Sequence, residues 1–203
     1  MISLTYRIAQ SLSYLYLKIF HGLNIIGLEN IPKQGSFILA CNHASYIDPP
    51  AVGCRVNRNL HYFARDSLFV GPLGFLIKRL NAIPVNRDRM ELKTLKNILA
   101  VLRNGNPLLV FPEGTRTVNG KFGPAKKGIG LLITKAKCGV IPVRIEGANK
   151  ILGKGMIIPR LGKKLTIKYG KFIDYSYFEE LDKNDLQQKI SDLILKKIKN
   201  IEI

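Results

Sequence analysis

The chain has 203 residues, 46% hydrophobic and 23% charged, which excludes a disordered or low-complexity protein and suits one globular domain with a real core. Its 32 Lys and Arg against 14 Asp and Glu give +18, and residues 1–173 hold 27 basic and 7 acidic side chains against 5 and 7 in residues 174–203. The positive field therefore belongs to the main body, where it either attracts phosphates and anionic membranes or simply solvates a lysine-rich surface.

The first segment, MISLTYRIAQSLSYLYLKIF, has no apolar run approaching the ~20 residues that span a bilayer, and it lacks the pattern of a signal peptide. Leu4, Ile8, Leu12, Leu15 and Ile19 recur at helical spacing, Tyr6, Tyr14 and Tyr16 flank them, and no acidic residue precedes Glu29. The spacing predicts an amphipathic helix that either lies in a membrane interface or packs on the domain behind it. Residues 1–27 are read as this membrane-associating segment and residues 28–203 as the main domain.

NIIGLENIPKQG follows as a short strand and turn, and SFILA as a buried strand ending at NHASYID. NLHYFAR predicts a second strand, SLFVGPLGFLIKRLN a loop and a short apolar helix, and AIPVN a third strand. RMELKTLKNILAVLRNG predicts a helix stopped by Gly105. PLLVFPEG is a buried strand running into a loop, and AKKGIGLLITKAKCG a helix closed by Gly139. VIPVRIEG and KLTIKYG are strands, and NDLQQKISDLILKKIKN is a final amphipathic helix with Asn184 as a candidate N-cap. Alternating strands and helices predict an α/β fold with a central, mostly buried sheet flanked by helices. NHASYID and FPEGTR then fall beyond strand ends, where functional residues gather.

Only three histidines are present. His21 and His61 sit in structural contexts. His43 has Asp48 five residues on, across a turn carrying Pro49 and Pro50. A carboxylate on one imidazole nitrogen fixes the tautomer and leaves the other to accept a proton, the orienting logic of a catalytic triad. The plain alternative is that His43 caps a turn and Asp48 the helix after it. Ser45 is nearby, but no GxSxG elbow occurs. A dyad without its own nucleophile suits a hydroxyl that the substrate brings. Cys41, Cys54 and Cys138 fit no zinc spacing or disulfide framework and read as reduced thiols.

In FPEGTR, Gly114 lets backbone approach a ligand, Thr115 adds a hydroxyl, and Arg116 offers a fork of donors matched to a phosphate. Glu113 reads as an orienting carboxylate beside that cradle. The alternative is a plain Gly turn with an exposed arginine. Arg87 and Arg89 in PVNRDR add cations at another strand end.

Four stretches in order, from about residue 28 to 147, resemble the glycerolipid acyltransferases with the NHx4D motif. NHASYID resembles the NHx4D block. SLFVGPLGFLIKRLNAIPVNR resembles the second block, FPEGTR the third, and VIPVRIEG the fourth. The resemblance implies a single α/β acyltransferase domain with an N-terminal helical membrane anchor. It implies that His43 is the general base, held by Asp48, and that Glu113, Gly114, Thr115 and Arg116, assisted by Arg87, form the acceptor's phosphate site. Pro142 would shape the architecture or the acyl site.

The implied reaction takes an acyl group from acyl-CoA or acyl-carrier protein to the sn-2 hydroxyl of lysophosphatidic acid, giving phosphatidic acid. It needs no cofactor and no metal, and it runs at the cytoplasmic face of the membrane on a peripheral or monotopic protein drawn to anionic lipid. Another lyso-lipid acceptor is the alternative within the class. A non-catalytic module binding anionic membrane or nucleic acid is the rival outside it, but no basic helix or RNA-binding sheet motif is visible. The chain departs from the family's usual lysine with Arg65, from a usual glycine with Asn81, and from a usual aspartate with Asn86, which removes a carboxylate beside Arg87.

Overall fold

A computed structural model describes residues 2–86, 92–118 and 120–203. Arg87 and Arg89 lie outside the described residues. The first element is helix α1, Leu4–His21, which Ser3 caps through its hydroxyl. The chain then alternates between strands and helices, with β1 at Asn24–Ile26, β2 at Phe37–Cys41, α2 at Asp48–Gly53 and β3 at Tyr62–Arg65. Next come α3 at Gly71–Arg79, β4 at Ala82–Val85, α4 at Leu92–Arg103 and β5 at Leu108–Val110. The second half holds α5 at Gly128–Ala136, β6 at Gly139–Glu146, α6 at Ala148–Leu152, β7 at Thr166–Tyr169, α7 at Ser176–Glu179 and α8 at Leu186–Lys199.

Five strands form one sheet in the order β1-β7-β6-β2-β5. β2 runs parallel to both β5 and β6, and β7 is antiparallel to β6. β3 and β4 pair in parallel beyond β5. His61 joins them to the main sheet, its N–H donating to Pro107 O at 3.0 Å and its carbonyl accepting from Leu109 N at 2.9 Å. The structural role read for His61 is this bridge.

β2 explains why both faces are covered. All five of its residues are fully buried. Phe37, Leu39 and Cys41 enter the core under α1 and α2, while Ile38 and Ala40 enter the core built with α4, α5 and α8. Period-2 alternation that is apolar on both faces is what a parallel sheet between helix layers requires.

Two boundaries differ from the sequence reading. α5 ends at Ala136 with Lys137 at φ 48°, so Gly139 does not close the helix. Gly139 instead opens β6 under the Phe172 ring, where a Cβ has no room. α8 has Asp185, not Asn184, as its N-cap residue. Asp185 takes a left-handed backbone and its carboxylate pairs with Lys127 at 2.8 Å instead of capping. Asn81, standing where the resembled family usually has glycine, has φ 62°. Asparagine tolerates that region through local hydrogen bonds, and Asn81 Nδ2 donates to Asn59 Oδ1 at 2.8 Å. The departure keeps the backbone turn.

α1 is amphipathic in the opposite sense to an ordinary surface helix. Its polar and aromatic side packs inward: Tyr6 and Leu17 are buried, Gln10 Nε2 donates to Gly53 O and Val56 O at 2.8 Å, and the Tyr6 and Tyr62 hydroxyls bond one another. Leu4, Ile8, Leu12, Leu15 and Ile19 all face solvent, Leu12 at 62% exposure. Among the described residues no helix is long and apolar enough to cross a membrane.

Candidate active site

β2 and β5 lie side by side in parallel, with Ala40 opposite Val110. The loops beyond their C-terminal ends therefore emerge together, and this alone brings NHASYID next to FPEGTR. Asn42 anchors the first loop. Its Nδ2 donates to Ile145 O at 3.0 Å and its Oδ1 accepts from Ile145 N at 2.9 Å, tying the loop to β6.

His43 Nδ1 and Asp48 Oδ2 are 2.8 Å apart. Asp48 is 0% exposed, and the same Oδ2 accepts from the backbone N–H of Ala44 and of Ser45, each at 2.8 Å. Three donors on one oxygen lock the turn, which Pro49 and Pro50 lead directly into α2. With Asp48 acting as acceptor, Nδ1 carries the proton and Nε2 is the nitrogen left for the pocket that His43 lines. The Phe111 ring stacks on the imidazole at 3.9 Å between centroids and 15° between planes.

Glu113 does not reach toward an anion. Its Oε1 accepts from His43 N at 2.9 Å and its Oε2 from Gly123 N at 2.6 Å. Burial pushes its carboxyl above the ordinary range, opposed by those two amides. Thr117 completes the clamp, donating from N at 2.8 Å and Oγ1 at 3.0 Å to His43 O. The His43 loop is thus held from both its N–H and its C=O by the FPEGTR loop.

This clamp yields a test. In Glu113→Gln one of the two backbone N–H groups would face an NH2 instead of an oxygen. A buried donor left unpaired costs about 1–3 kcal/mol. For a chain of this length that lowers the thermal midpoint by roughly 3–10 °C. Turnover should fall with it as His43 loses its fixed position, measured by calorimetry and thiol release. A variant with unchanged midpoint and turnover would remove Glu113 from this role.

Gly114 turns at φ 70°, its N–H donating to Phe111 O, and with Thr115 it lines the pocket. Arg116 also lines the pocket, with its guanidinium 3.4 Å from the centroid of Tyr46. Its Nη1 is buried with no hydrogen-bond partner among the described residues. The guanidinium is therefore a candidate donor to an anion in this pocket. Lys126 and Arg65 line the same pocket, which has a volume of about 770 Å³ and walls that are chiefly apolar, including Phe63, Leu80, Ile129 and Leu132. Sequence spacing had singled out neither Lys126 nor Tyr46.

Among the described residues, neither the serine beside His43 nor the nearby thiols are ready nucleophiles. Ser45 is 0% exposed and its Oγ donates to Leu152 O at 2.6 Å. Burial pushes the Cys54 thiol at the pocket wall up to about 12, and the Cys41 thiol is raised in the same way. Neither offers a thiolate near neutral pH.

A family model described as Acyltransferase matches residues 22–146, more than half of the chain. The chain belongs to the acyltransferase family. It is 30% identical over 90% of its length to the 1-acyl-sn-glycerol-3-phosphate acyltransferase of Borreliella burgdorferi, spanning 74% of that protein. Its identity to the enzyme of the same name from Bacillus subtilis is 27%, over 89% of this acyltransferase and 88% of the relative. Chloroplastic relatives from Arabidopsis thaliana and Brassica napus are longer, and the chain spans 39% and 40% of their lengths. The fold matches the crystal structure of the 1-acyl-sn-glycerophosphate (LPA) acyltransferase PlsC from Thermotoga maritima, with a TM-score of 0.77, 24% identity, and coverage of 98% of this chain and 81% of that one. The acyltransferase therefore has one α/β domain with a central sheet flanked by helices.

Proposed function

We propose that this acyltransferase moves a fatty acyl group from a thioester to the sn-2 hydroxyl of 1-acyl-sn-glycerol-3-phosphate, giving phosphatidic acid. The observation that carries the reading is the His43–Asp48 pair at 2.8 Å in a largely apolar pocket that Arg116 also lines, with an Nη1 unpaired among the described residues. The family and its lysophosphatidic acid relatives support the acceptor.

His43 Nε2 takes the proton of the acceptor hydroxyl as its oxygen attacks the thioester carbonyl. The new C–O bond forms, the C–S bond breaks as the tetrahedral adduct collapses, and the imidazolium returns its proton to the departing sulfur. Asp48 stabilises the transient imidazolium through Nδ1. No acyl-enzyme is required, in keeping with the occupied Ser45 and the buried thiols. Arg116 and Lys126 bind the acceptor phosphate over the Gly114–Thr115 turn, Glu113 holds the turn in place, and Arg87 assists. The donor is acyl-CoA or acyl-carrier protein, and its chain lies along the apolar wall. The exposed stripe of α1 seats the protein as a peripheral or monotopic enzyme on the anionic cytoplasmic face of the membrane.

The test is thiol release from acyl-CoA and, separately, acyl-carrier protein, with and without lysophosphatidic acid. Release that depends on acceptor supports the reading, and release only with a phosphate-free lyso-lipid overturns it. Arg116→Ala sharpens the result. A charge-assisted bidentate pair contributes about 1.5–3 kcal/mol, so the acceptor KM should rise roughly 10- to 100-fold. A fall in kcat with KM unchanged would contradict the phosphate role.

A further inference from the structure

Residues 153–165 form a projecting loop between two functional places. At its start, Ser45 Oγ and Tyr46 N both donate to Leu152 O, and Ser45 bridges to Gly153, so the loop leaves directly from the turn that holds His43 and Asp48. At its end, Gly162 N donates to Phe20 O at 3.0 Å and Leu165 N to His21 O at 3.1 Å, so the loop returns onto the C-terminus of α1. His21 Nδ1 lies 3.2 Å from Lys163 O at the same seam.

The loop's tip is apolar and its flanks are basic. Ile157 is 92% exposed and Ile158 77%, and Leu161 is exposed as well. Lys154, Arg160, Lys163 and Lys164 surround them, and no acidic residue occurs anywhere from position 147 to 173. Two adjacent isoleucines held in water are unfavourable unless something covers them. The loop's return also meets α1 at Phe20, which is exposed together with Ile19.

We infer that residues 153–165 are a second lipid-contact element, which inserts Ile157 and Ile158 into an anionic bilayer surface and seats its four cations on the headgroups. This inference rests on the membrane reading of α1 proposed above. Apolar residues projecting among cations match the interface of an anionic membrane. A folded acidic partner would match the cations but leave the isoleucine tip without a reason to protrude. Two anchors, one on α1 and one joined to the catalytic turn, fix the orientation of the pocket toward the lipid.

The experiment is co-sedimentation of the full chain with vesicles of phosphatidylglycerol and phosphatidylcholine, and with phosphatidylcholine alone. The variants are Ile157→Ser/Ile158→Ser, Lys163→Gln/Lys164→Gln and, on α1, Leu12→Ser/Leu15→Ser. All six positions are exposed, so the fold should survive, and circular dichroism checks it. The isoleucine pair should lower partition onto the mixed vesicles by roughly 10-fold or more. The lysine pair should lower it by about 10- to 30-fold at low salt, with the effect fading as salt rises. Both loop variants should keep wild-type thiol release on detergent-dispersed acceptor. Wild-type partition by both loop variants, with loss only in the α1 variant, overturns the inference and leaves the membrane reading standing. Unchanged partition with slower release from acyl-carrier protein overturns it in favour of protein docking. Failure of the wild type itself to bind vesicles overturns both.

Discussion

Replacing His43 with alanine is expected to lower kcat by about 10²- to 10⁴-fold, the range a positioned general base supplies. That corresponds to roughly 2.7–5.5 kcal/mol of lost transition-state stabilisation. The fold should survive because His43 is tied in mainly by its backbone. Its N–H to Glu113 and its C=O from Thr117 remain in the variant. Asp48 keeps the Ala44 and Ser45 amides as donors. The acceptor KM should change little, since binding is assigned to Arg116 and Lys126. This contrast separates the two roles: His43→Ala acts on turnover, Arg116→Ala on acceptor binding. Steady-state thiol release reads both, and calorimetry checks that the variant is folded. Turnover within about tenfold of wild type would remove His43 from proton transfer.

The alternation of elements was legible because β2, β5 and β6 are short apolar runs bounded by turn residues, and α4 carries leucines at helical period. The partnership of His43 with Asp48 was legible because both lie on one turn. What joins that turn to the rest of the site was not. Phe111 lies 68 positions from the histidine it stacks on, and Asn42 meets Ile145 across 103 positions. Such contacts follow from the parallel pairing of β2 with β5 and β6, and local spacing carries no trace of it. Glu113 read as a neighbour of the phosphate cradle, yet both its oxygens are committed to backbone amides. Arg116 was legible by type, while its seat over Tyr46 depends on the two loops converging. The final helix was legible by its periodicity, but its start lies one residue later, at the left-handed Asp185, and a one-residue boundary is below what periodicity resolves. The apolar stripe of α1 was visible, but its direction was not: only the packed structure shows the stripe turned outward and the tyrosine and glutamine side turned in.

Asp48→Asn carries the second large expected effect and isolates charge from geometry. Asp48 Oδ2 receives three donors, and Oδ1 is buried without a partner among the described residues. Asparagine can therefore place its carbonyl oxygen where Oδ2 stands and its NH2 where Oδ1 stands, keeping all three hydrogen bonds. The backbone turn and the imidazole tautomer should persist, and the thermal midpoint should move little. What is lost is the negative charge facing the imidazolium that forms when the acceptor hydroxyl gives up its proton. Hydrogen bonds to charged groups contribute about 1.5–3 kcal/mol, or roughly 10- to 100-fold in rate. A kcat reduced about 10- to 100-fold in a folded protein is the expected outcome. Asp48→Ala makes the contrast. It strands the Ala44 and Ser45 amides as well, so it should lower both turnover and the thermal midpoint. If Asp48→Asn turns over at the wild-type rate while Asp48→Ala unfolds early, Asp48 is a turn-former and the charge has no part in the chemistry. If both variants lose turnover but only alanine loses stability, the buried carboxylate acts on the proton that His43 carries.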